Sequence, residues 1–465
     1  MIACLCAILI ASSSAGATGG GRGEFDLAAA VAAAQAGATI VVPAGVHSGP
    51  IVIEKSLTLV GEAGAIIDGH GEGDVVRIEA PDVTIRCLLL RGTGIALNHE
   101  NAAVRAMAPR ATIIGNTVED ALFGFLLKGA EGSVIRGNRI HGKDLDIARR
   151  GDGIRLWQAS DSILENNVVT DGRDVVVWYS SGVTVRGNRV SNSRYGLHFM
   201  FTDDNVLEDN ILEGNSVGCF LMYSKNLTLR RNVFRDNRGP SGYGLGLKDM
   251  DGVAAEDNIF IANRVGVYLD NSPSSMVIHD VWSRNMIACN DVGIVFMSNV
   301  KRNSFTDNSF IDNIEQVGVI SGGELIGNSF TVEGRGNYWS DYNGYDLDGD
   351  GFGDLEYRSE SLFENLMDRE PKLRLFLFSP AQQAMEMASK AFPAMKPRPK
   401  LTDSRPLMQP VQPNVRLAVK RSRWPMLAMA TGLLGCAAVI LFAGRPDQGV
   451  IKRTRRGRGA GGRAS

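Results

Sequence analysis

A short asparagine-centred phrase recurs along most of this chain and constrains its fold more than any other feature. Each copy has an apolar residue, a turn residue and then asparagine, and consecutive asparagines lie 20 to 29 residues apart. A repeat of this length indicates a solenoid, in which each unit buries its apolar side chains against its neighbours. The repeated residues are Asn116, Asn138, Asn167, Asn188, Asn210, Asn232, Asn258, Asn285, Asn308 and Asn328.

Each unit also carries a short strand of alternating pattern that follows a glycine, such as 196–200, 218–222 and 266–270. The 54 glycines against 16 prolines favour many tight turns, and a helix in each unit is not visible. Asparagine tolerates left-handed backbone at corners, and stacked asparagines form amide ladders. The sequence therefore predicts an all-β protein, a right-handed parallel β-helix (a pectin-lyase-like solenoid).

The two ends of the chain predict segments outside the repeat. Residues 2–11 are apolar and precede a small-residue site at 15–17, which is typical of a secretory signal peptide. Residues 425–443 carry no charge, are long enough to cross a bilayer and precede a basic tail. These patterns predict an exported body that a C-terminal transmembrane helix anchors, with the basic tail in the cytoplasm.

Helices are expected near both ends of the solenoid. Asp26 is a plausible N-cap for a short helix over 27–36 that would cover the open end of the stack. The expected segments are a signal peptide at 1–17, the parallel β-helix at 18–331, an acidic Asp/Gly-rich capping segment at 332–378, a C-terminal helix at 379–392, a Pro-rich tether at 393–424, the transmembrane helix at 425–443 and a basic cytoplasmic tail at 444–465.

One outward column of the repeat is unusually apolar. Alternate strand residues face opposite ways, which predicts that Val176 and Trp178 face the core and that the next position of each unit points outward. An exposed strip of aromatic and methionine side chains is typical of a binding surface. The alternative is a face that the C-terminal segment of the chain covers. The candidate partner-binding residues are Trp157, Tyr179, Phe220, Lys248, Tyr268 and Met297.

Three neighbours in this strip form a candidate copper site. Met200 and Met222 lie one coil apart, and His198 is two residues from Met200 on the same face. Two thioethers and an imidazole are donors that select Cu(I). The alternative is that all three side chains only contact a partner.

A second candidate metal site follows the repeats. Asp346, Asp348, Asp350 and Asp354 occupy positions 1, 3, 5 and 9 of a calcium-loop pattern, with the Phe352 carbonyl at position 7. Position 12 is a tyrosine instead of the usual glutamate, which would reduce affinity. The alternative is an acidic capping turn.

The overall charge and the acidic residues bear on the class of function. The formal net charge is −2, which gives no argument for a nucleic-acid partner. β-Helices also host polysaccharide-acting enzymes, which need carboxylates or bases clustered on one outward face. A membrane-anchored polysaccharide lyase, hydrolase or epimerase is therefore the rival interpretation. Its candidate residues are Asp144, Asp146, Asp152 and Arg155, or Asp203, Asp204, Lys248 and Asp249.

Beyond these patterns, the chain resembles the NosD family from about residue 24 to residue 410. The order of the motifs carries the resemblance, because the asparagine repeat alone is common to many β-helices. The segments concerned are 195–200 (YGLHFM), 221–226 (LMYSKN), 237–249 (NRGPSGYGLGLKD), 266–272 (GVYLDNS), 336–354 and 373–393.

The resemblance implies a function. The protein would be a periplasmic, non-catalytic accessory factor for the maturation of nitrous oxide reductase. It would work with the NosFY ABC transporter and the NosL copper chaperone on the copper–sulfide centre of that enzyme. The resemblance thus favours an assembly role and transient copper binding over catalysis.

Overall fold

The computed structural model describes residues 25–415, together with residues 429 and 431. The predicted signal peptide and basic tail lie outside these residues, as does nearly all of the predicted membrane span. None of the helices in the described part of the chain is long and apolar enough to cross a membrane.

The described chain winds into a right-handed parallel β-solenoid of about 12 turns, as the asparagine repeat predicts. Each turn contributes one strand to each of three sheets. The first sheet contains Ala38–Val42, Leu57–Gly61, Thr84–Arg86, Thr112–Ile114, Val134–Arg136, Ile163–Glu165, Thr184–Arg186, Val206–Glu208, Thr228–Arg230, Ala254–Glu256, Asp280–Ser283 and Asn303–Thr306.

The second and third sheets follow the same order along the solenoid. The second contains Gly45–Ser48, Ala65–Asp68, Leu89–Arg91, Thr117–Ala121, Arg139–Gly142, Val168–Thr170, Arg189–Ser191, Ile211–Glu213, Val233–Arg235, Ile259–Ile261, Met286–Ala288, Ser309–Ile311 and Tyr338–Trp339. The third contains Ile51–Ile53, Val76–Ile78, Ala102–Ala106, Phe123–Lys128, Ile154–Trp157, Asp174–Trp178, Tyr195–Met200, Val217–Met222, Tyr243–Lys248, Val265–Asp270, Val292–Phe296 and Glu315–Val319.

Asparagine ladders hold successive turns together, which confirms the amide-ladder prediction. In the main ladder each Nδ2 donates to the Oδ1 of the next asparagine at 2.9 to 3.2 Å, from Asn116 to Asn337. The ladder ends at Asn337, whereas Asn328 pairs with Asn303 instead. Left-handed backbone belongs to the residue before the ladder asparagine, such as Asp209 at φ +56°, and not to the asparagine itself. The backbone turns at the residue before the asparagine, and the side-chain amide of the asparagine then points into the solenoid towards the next asparagine of the ladder.

Helices close both ends. Helix α1 (Leu27–Ala33) begins after Asp26, whose carboxylate accepts from Ala29 N at 2.9 Å, and it buries Leu27 and Val31 over the first turn. Helix α2 (Leu362–Arg369) was not expected from the sequence, and helix α3 (Pro380–Ala391) matches the expected C-terminal helix. The short 3₁₀ segments are Leu97–His99, Ile147–Arg149, Pro371–Phe376 and Pro393–Met395.

Residues 400–414, expected within an extended Pro-rich tether, lie against the solenoid instead. Thr402–Asp403 pairs antiparallel with Tyr357–Arg358, and Leu401 and Asp403 are buried. Further along, Val411 N donates to Ser309 Oγ at 2.9 Å. The tether prediction is therefore wrong for these residues, whose prolines lie between anchored positions.

The asparagine ladder explains why this segment docks. Its last member, Asn337, has no further turn to accept from it, and Asp403 supplies the missing acceptor. Asp403 Oδ2 accepts from Asn337 N at 2.7 Å and from Trp339 Nε1 at 3.0 Å. A buried amide without a partner costs about 1–3 kcal/mol, so the segment completes the ladder.

A buried charge cluster fastens the same end. Lys400 Nζ is fully buried and lies 2.7 Å from Glu315 Oε1 and 2.8 Å from Asp368 Oδ2. Arg374 donates to the other oxygen of Glu315 at 2.6 Å. Burial raises the pKa of the neighbouring Glu364 to about 8 and that of Asp368 to about 6. The C-terminal segment thus joins the last turn and α2 through buried charge.

Candidate functional site

The outer face of the third sheet, here called the third-sheet face, brings the predicted copper residues together. Met200 and Met222 are register partners on adjacent strands, and His198 pairs with Phe220. Adjacent strands lie about 4.8 Å apart, so the two thioethers are neighbours. Lys248 continues the column beyond Met222, and its Nζ lies 3.8 Å from Asp270 Oδ2.

Aromatic rings form a continuous series of contacts along this face, here called the aromatic chain. Neighbouring ring centroids lie 4.5 to 6.3 Å apart, in stacked, tilted and edge-to-face arrangements. In the order of contact, its members are Tyr223, Phe201, Tyr179, Trp157, Trp178, His198, Tyr195, Phe220, Tyr243 and Tyr268.

One end of the aromatic chain lies on turn residues. Tyr179, Phe201 and Tyr223 have φ of +51°, +54° and +52°, and their rings stack with interplanar angles of 15°. They are 43%, 45% and 37% exposed. Left-handed backbone is uncommon for aromatic residues, so successive turns repeat a strained corner that displays a ring.

The prediction that Val176 and Trp178 face the core is wrong by one residue. Val177 faces the core and Trp178 lies outside, where its ring contacts Trp157 and His198. The register shifts between Asp174 and Val176, where this turn carries an irregularity relative to the next. Because of that shift, the alternation counted from the sequence assigned Trp178 to the wrong face.

His198 is held between two rings and lies beside a carboxylate. Its ring makes edge-to-face contacts with Trp178 at 5.2 Å and Tyr195 at 4.8 Å. Its buried Nδ1 has no hydrogen-bond partner within 3.5 Å, and the nearest carboxylate oxygen is Asp174 Oδ2 at 3.6 Å. The other ring nitrogen, Nε2, is the one that this arrangement leaves for a ligand.

Two ion pairs with buried carboxylates lie beside the rings. Arg194 Nε donates to Asp174 at 3.0 Å, and Arg155 donates to Asp152 at 2.6 Å. Burial raises the pKa of Asp152 to about 6. Burial opposes ionisation of Asp174 as well, but His198 and Arg194 outweigh it and lower the pKa of Asp174. Asp174 is therefore an anion next to the imidazole at neutral pH.

The far end of the face opens into a groove of about 540 Å³ between the rings and the helical cap. Tyr243 and Tyr268 stack at 4.5 Å on one side, and Met367 and Arg374 line the other. Burial raises the pKa of Tyr268 to about 12, so its hydroxyl stays a hydrogen-bond donor. Met297, predicted for the same strip, instead packs against the main core.

The acidic loop after the repeats is compact and exposed. Asp346, Asp348 and Asp350 each offer an oxygen within 4.8 Å of the others. Backbone N–H groups of the loop itself donate to them: Gly349 and Gly351 donate to Asp346 at 2.7 and 2.9 Å. Phe352 and Asp354 follow in the same loop, where Asp354 accepts from Leu347 N. Calcium binding here stays a prediction.

Several residues of the third-sheet face were not predicted from the sequence. Tyr195, Tyr243 and Asp174 precede the core-facing positions of their strands, and Phe201 and Tyr223 follow them in the turns. The recurring aromatic residue after each strand end, at 179, 201 and 223 with a spacing of 22, was the available signal.

Comparisons with known proteins agree with this architecture. The sequence model of the family described as "Periplasmic copper-binding protein (NosD)" matches residues 137–344. The A-module of mannuronan C-5 epimerase AlgE6 from Azotobacter vinelandii shares the fold, with a TM-score of 0.53 and 15% identity. That alignment covers 67% of this chain and 93% of the module.

Two relatives share much more of the sequence. A Pseudomonas aeruginosa protein named "Probable ABC transporter binding protein NosD" is 32% identical, over 79% of this chain and 87% of the relative. A protein of the same name from Stutzerimonas stutzeri is 30% identical, over 79% and 86%. The chain therefore belongs to the NosD family.

Proposed function

We propose that this chain is a periplasmic accessory protein for the maturation of nitrous oxide reductase. In this role it assists assembly of the copper–sulfide centre together with the NosFY ABC transporter and the NosL copper chaperone. The third-sheet face handles copper and partner, and the span at 425–443 anchors the body to the inner membrane. The protein acts by binding and transfer, without catalysis of its own.

Family membership carries the proposal. The family description names a periplasmic copper-binding protein, and the two relatives are named as ABC transporter binding proteins. The third-sheet face supplies an independent reason, because its donor set suits a soft monovalent ion. Thioether sulfur selects Cu(I) over the harder divalent ions, and imidazole nitrogen suits copper as well.

Within the proposed site, His198 Nε2 and the two thioethers of Met200 and Met222 are the ligands. Asp174 is the positioning residue, because a metal-bound imidazole usually directs its second nitrogen to a carboxylate. The ring contacts from Trp178 and Tyr195 fix the imidazole plane. Both methionines are half-buried, so an incoming or leaving ion reaches them from solvent, which suits transient loading.

The polysaccharide interpretation receives less support from the same face. A sugar ring stacks on an open aromatic face, whereas the stacked rings at 179, 201 and 223 cover one another and present their edges. The likeness to the epimerase module shows the fold alone at 15% identity. An edge-exposed aromatic and methionine surface suits a protein partner better.

Anaerobic Cu(I) titration of the full chain against a chromophoric chelator tests the site. We expect one equivalent to bind, and the double variant Met200→Leu/Met222→Leu to lose about 100-fold or more in affinity because two of three ligands are gone. Met276→Leu changes an exposed methionine in a distant loop and is the matched control. Equal affinity in both variants would contradict the site.

The positioning role of Asp174 has a separate test. We expect Asp174→Asn to weaken Cu(I) binding about tenfold, in the range found for outer-shell partners. Asp174→Glu keeps the charge and should restore part of the affinity, which a merely structural role would not explain. Thermal unfolding of both variants controls for loss of the Arg194 ion pair.

A further inference from the structure

We propose that α3 and its flanking 3₁₀ segments form a surface that lies on a lipid bilayer. The surface, here called the cap face, consists of the exposed side chains Leu375, Phe376, Phe378, Met387, Phe392 and Met395. The proposal goes beyond copper handling and uses none of the residues assigned to it. It rests on the orientation of α3, on the surrounding charge and on the chain that follows residue 415.

Helix α3 presents its apolar stripe to solvent. Pro380, Ala384, Met387 and Ala391 recur every three or four residues, so they share one stripe of the helix, and all four are exposed. Gln382, Glu386 and Ser389 lie on the opposite side, facing the fold. A helix of a soluble domain normally has the reverse arrangement, so this apolar stripe is available to something outside the described chain.

Hydrogen bonds on its inner side hold α3 with its apolar stripe facing solvent. Glu386 Oε1 accepts from Ser361 Oγ at 2.7 Å and from Phe363 N at 3.0 Å. A polar pocket of about 270 Å³, lined in part by Glu386, Ser389 and Lys390, lies beside this contact between α3 and α2. Because the inner side of α3 carries these hydrogen bonds and lines this polar pocket, the exposed apolar stripe on its other side stays uncovered.

The cap face brings several strongly exposed apolar side chains into one segment of the chain. Its six side chains are between 47% and 87% exposed, and Phe378 is 75% exposed at a φ of +63°. The segment 371–399 that carries them contains five basic residues and one acidic residue. Arg374, Lys396 and Arg398 pair with glutamates of the fold, whereas Lys372 and Lys390 are exposed and have no ion-pair partner among the described residues. Protruding aromatic and aliphatic side chains among lysines and arginines are the chemistry of interfacial membrane helices.

The length of the chain beyond the described body favours a bilayer over a free protein partner. Nine residues, 416–424, separate Val415 from the start of the predicted membrane span at 425. At about 3.3–3.6 Å per extended residue they reach at most about 35 Å. With the anchor of the proposed function at 425–443, the body is therefore confined next to a lipid surface, and anionic headgroups complement Lys372 and Lys390 at about 1 kcal/mol each near the surface.

Depth-dependent fluorescence quenching tests the proposal on the full chain. The chain is incorporated into phosphatidylethanolamine–phosphatidylglycerol vesicles without any transporter, with acyl chains brominated or not. Phe378→Trp places a probe on the cap face, and Phe201→Trp is the matched control on the third-sheet face. The signal of the five native tryptophans is subtracted using the parent chain.

We expect brominated lipid to remove about half of the emission added by Phe378→Trp, and about a tenth or less of that added by Phe201→Trp. A cap-face probe that aqueous acrylamide quenches and brominated lipid does not would overturn the proposal. Shielding of the cap-face probe from both quenchers would also overturn the proposal, because it would mean that protein covers the cap face. If the probe becomes shielded only when the transporter is added, the transporter is the protein that covers it. Copper titration of the same vesicles keeps the two proposals separate.

Discussion

The outer faces of the first and third sheets are built on the same repeat but satisfy their side chains in opposite ways. On the first-sheet face, register partners alternate in charge over six turns, and Glu208 accepts from both Arg186 at 3.2 Å and Arg231 at 2.7 Å. The alternating residues are Arg136, Glu165, Arg186, Glu208, Arg230 and Glu256. The third-sheet face carries rings and thioethers above buried charge.

This difference distinguishes a face whose side chains are already paired from a face whose side chains can still bind a ligand. Each of these six charges pairs with a charge of a neighbouring turn, so this row of side chains needs no counter-ion from outside. The rings of the third-sheet face stack on one another, yet their edges and the two methionines stay accessible. Both faces are built on the same stacked strands, so the stacking of strands does not determine which face binds a ligand. The side chains on each face determine it. The predictions below test this contrast.

The largest effect should come from buried charge at the end of the third-sheet face. Lys400→Met leaves Asp368 buried without a counter-ion and leaves Glu315 with Arg374 alone; breaking a buried pair typically costs about 3–5 kcal/mol. Lys396→Met, which breaks the exposed pair with Glu360, is the control and should cost about 1 kcal/mol or less. Urea unfolding measures both. Equal losses would show that burial does not distinguish the two kinds of charge.

The ring packing of the third-sheet face has a direct steric test. Gly246 lies between Phe220 and Tyr268 in register, and a methyl group there would collide with the Phe220 ring. We expect Gly246→Ala to destabilise the protein by about 1–3 kcal/mol through overpacking. Ala254→Ser adds one atom to an exposed position of the first-sheet face and should change stability by less than about 0.5 kcal/mol. Matching thermal shifts for the two variants would refute the packing account.

A pH-dependent change in stability should distinguish the buried charge cluster around Lys400 from the exposed ion pairs of the first-sheet face. Burial raises the folded-state pKa of Glu364 to about 8 from 4.5. The stability contributed by its protonated form is fully present below about pH 4.5 and is lost as the pH rises through 8. Glu364→Gln should therefore unfold at higher urea than the parent at pH 8.5, by a few kcal/mol and at most about 5 kcal/mol, and show a difference of about 1 kcal/mol or less at pH 5. The same gain at both pH values would contradict this assignment.

The smallest effect is expected on the first-sheet face. Glu208→Gln removes the shared acceptor of two partly exposed arginines and should cost about 0.5–1 kcal/mol at low salt. In 1 M NaCl the cost should nearly vanish because the screening length is about 3 Å. Met222→Leu on the third-sheet face should show no such salt dependence. If the stability lost in Glu208→Gln did not depend on salt, the charged residues of the first-sheet face would stabilise the protein through packing instead of charge.

The repeat and its register could be read from the sequence because period and side-chain alternation are local properties. The spacing of the asparagines predicted the solenoid and the amide ladder, and Asp26 predicted the start of α1. Ser361 followed by Glu364 is a capping-box pattern that could have predicted α2. The prediction missed it because the segment was interpreted from its acidic and glycine content.

Other features depend on contacts that no local pattern contains. The outward position of Trp178 follows from a register irregularity at Asp174, and the docking of residues 400–414 follows from the acceptor that the ladder lacks at its end. His198, Met200 and Met222 were correctly placed on one face by alternation. The carboxylate beside His198 and the two rings around it come from neighbouring strands and from positions that alternation does not single out, so only the structure relates them.

X-ray absorption at the copper edge tests the central claim most directly, because it identifies the atoms that surround the ion. The full chain is loaded anaerobically with one equivalent of Cu(I) and compared with the Met200→Leu/Met222→Leu variant. The account predicts two sulfur neighbours and one imidazole nitrogen in the parent, with the sulfur contribution lost in the variant. A parent spectrum of nitrogen and oxygen neighbours alone, or one that the variant leaves unchanged, would contradict a copper site on the third-sheet face.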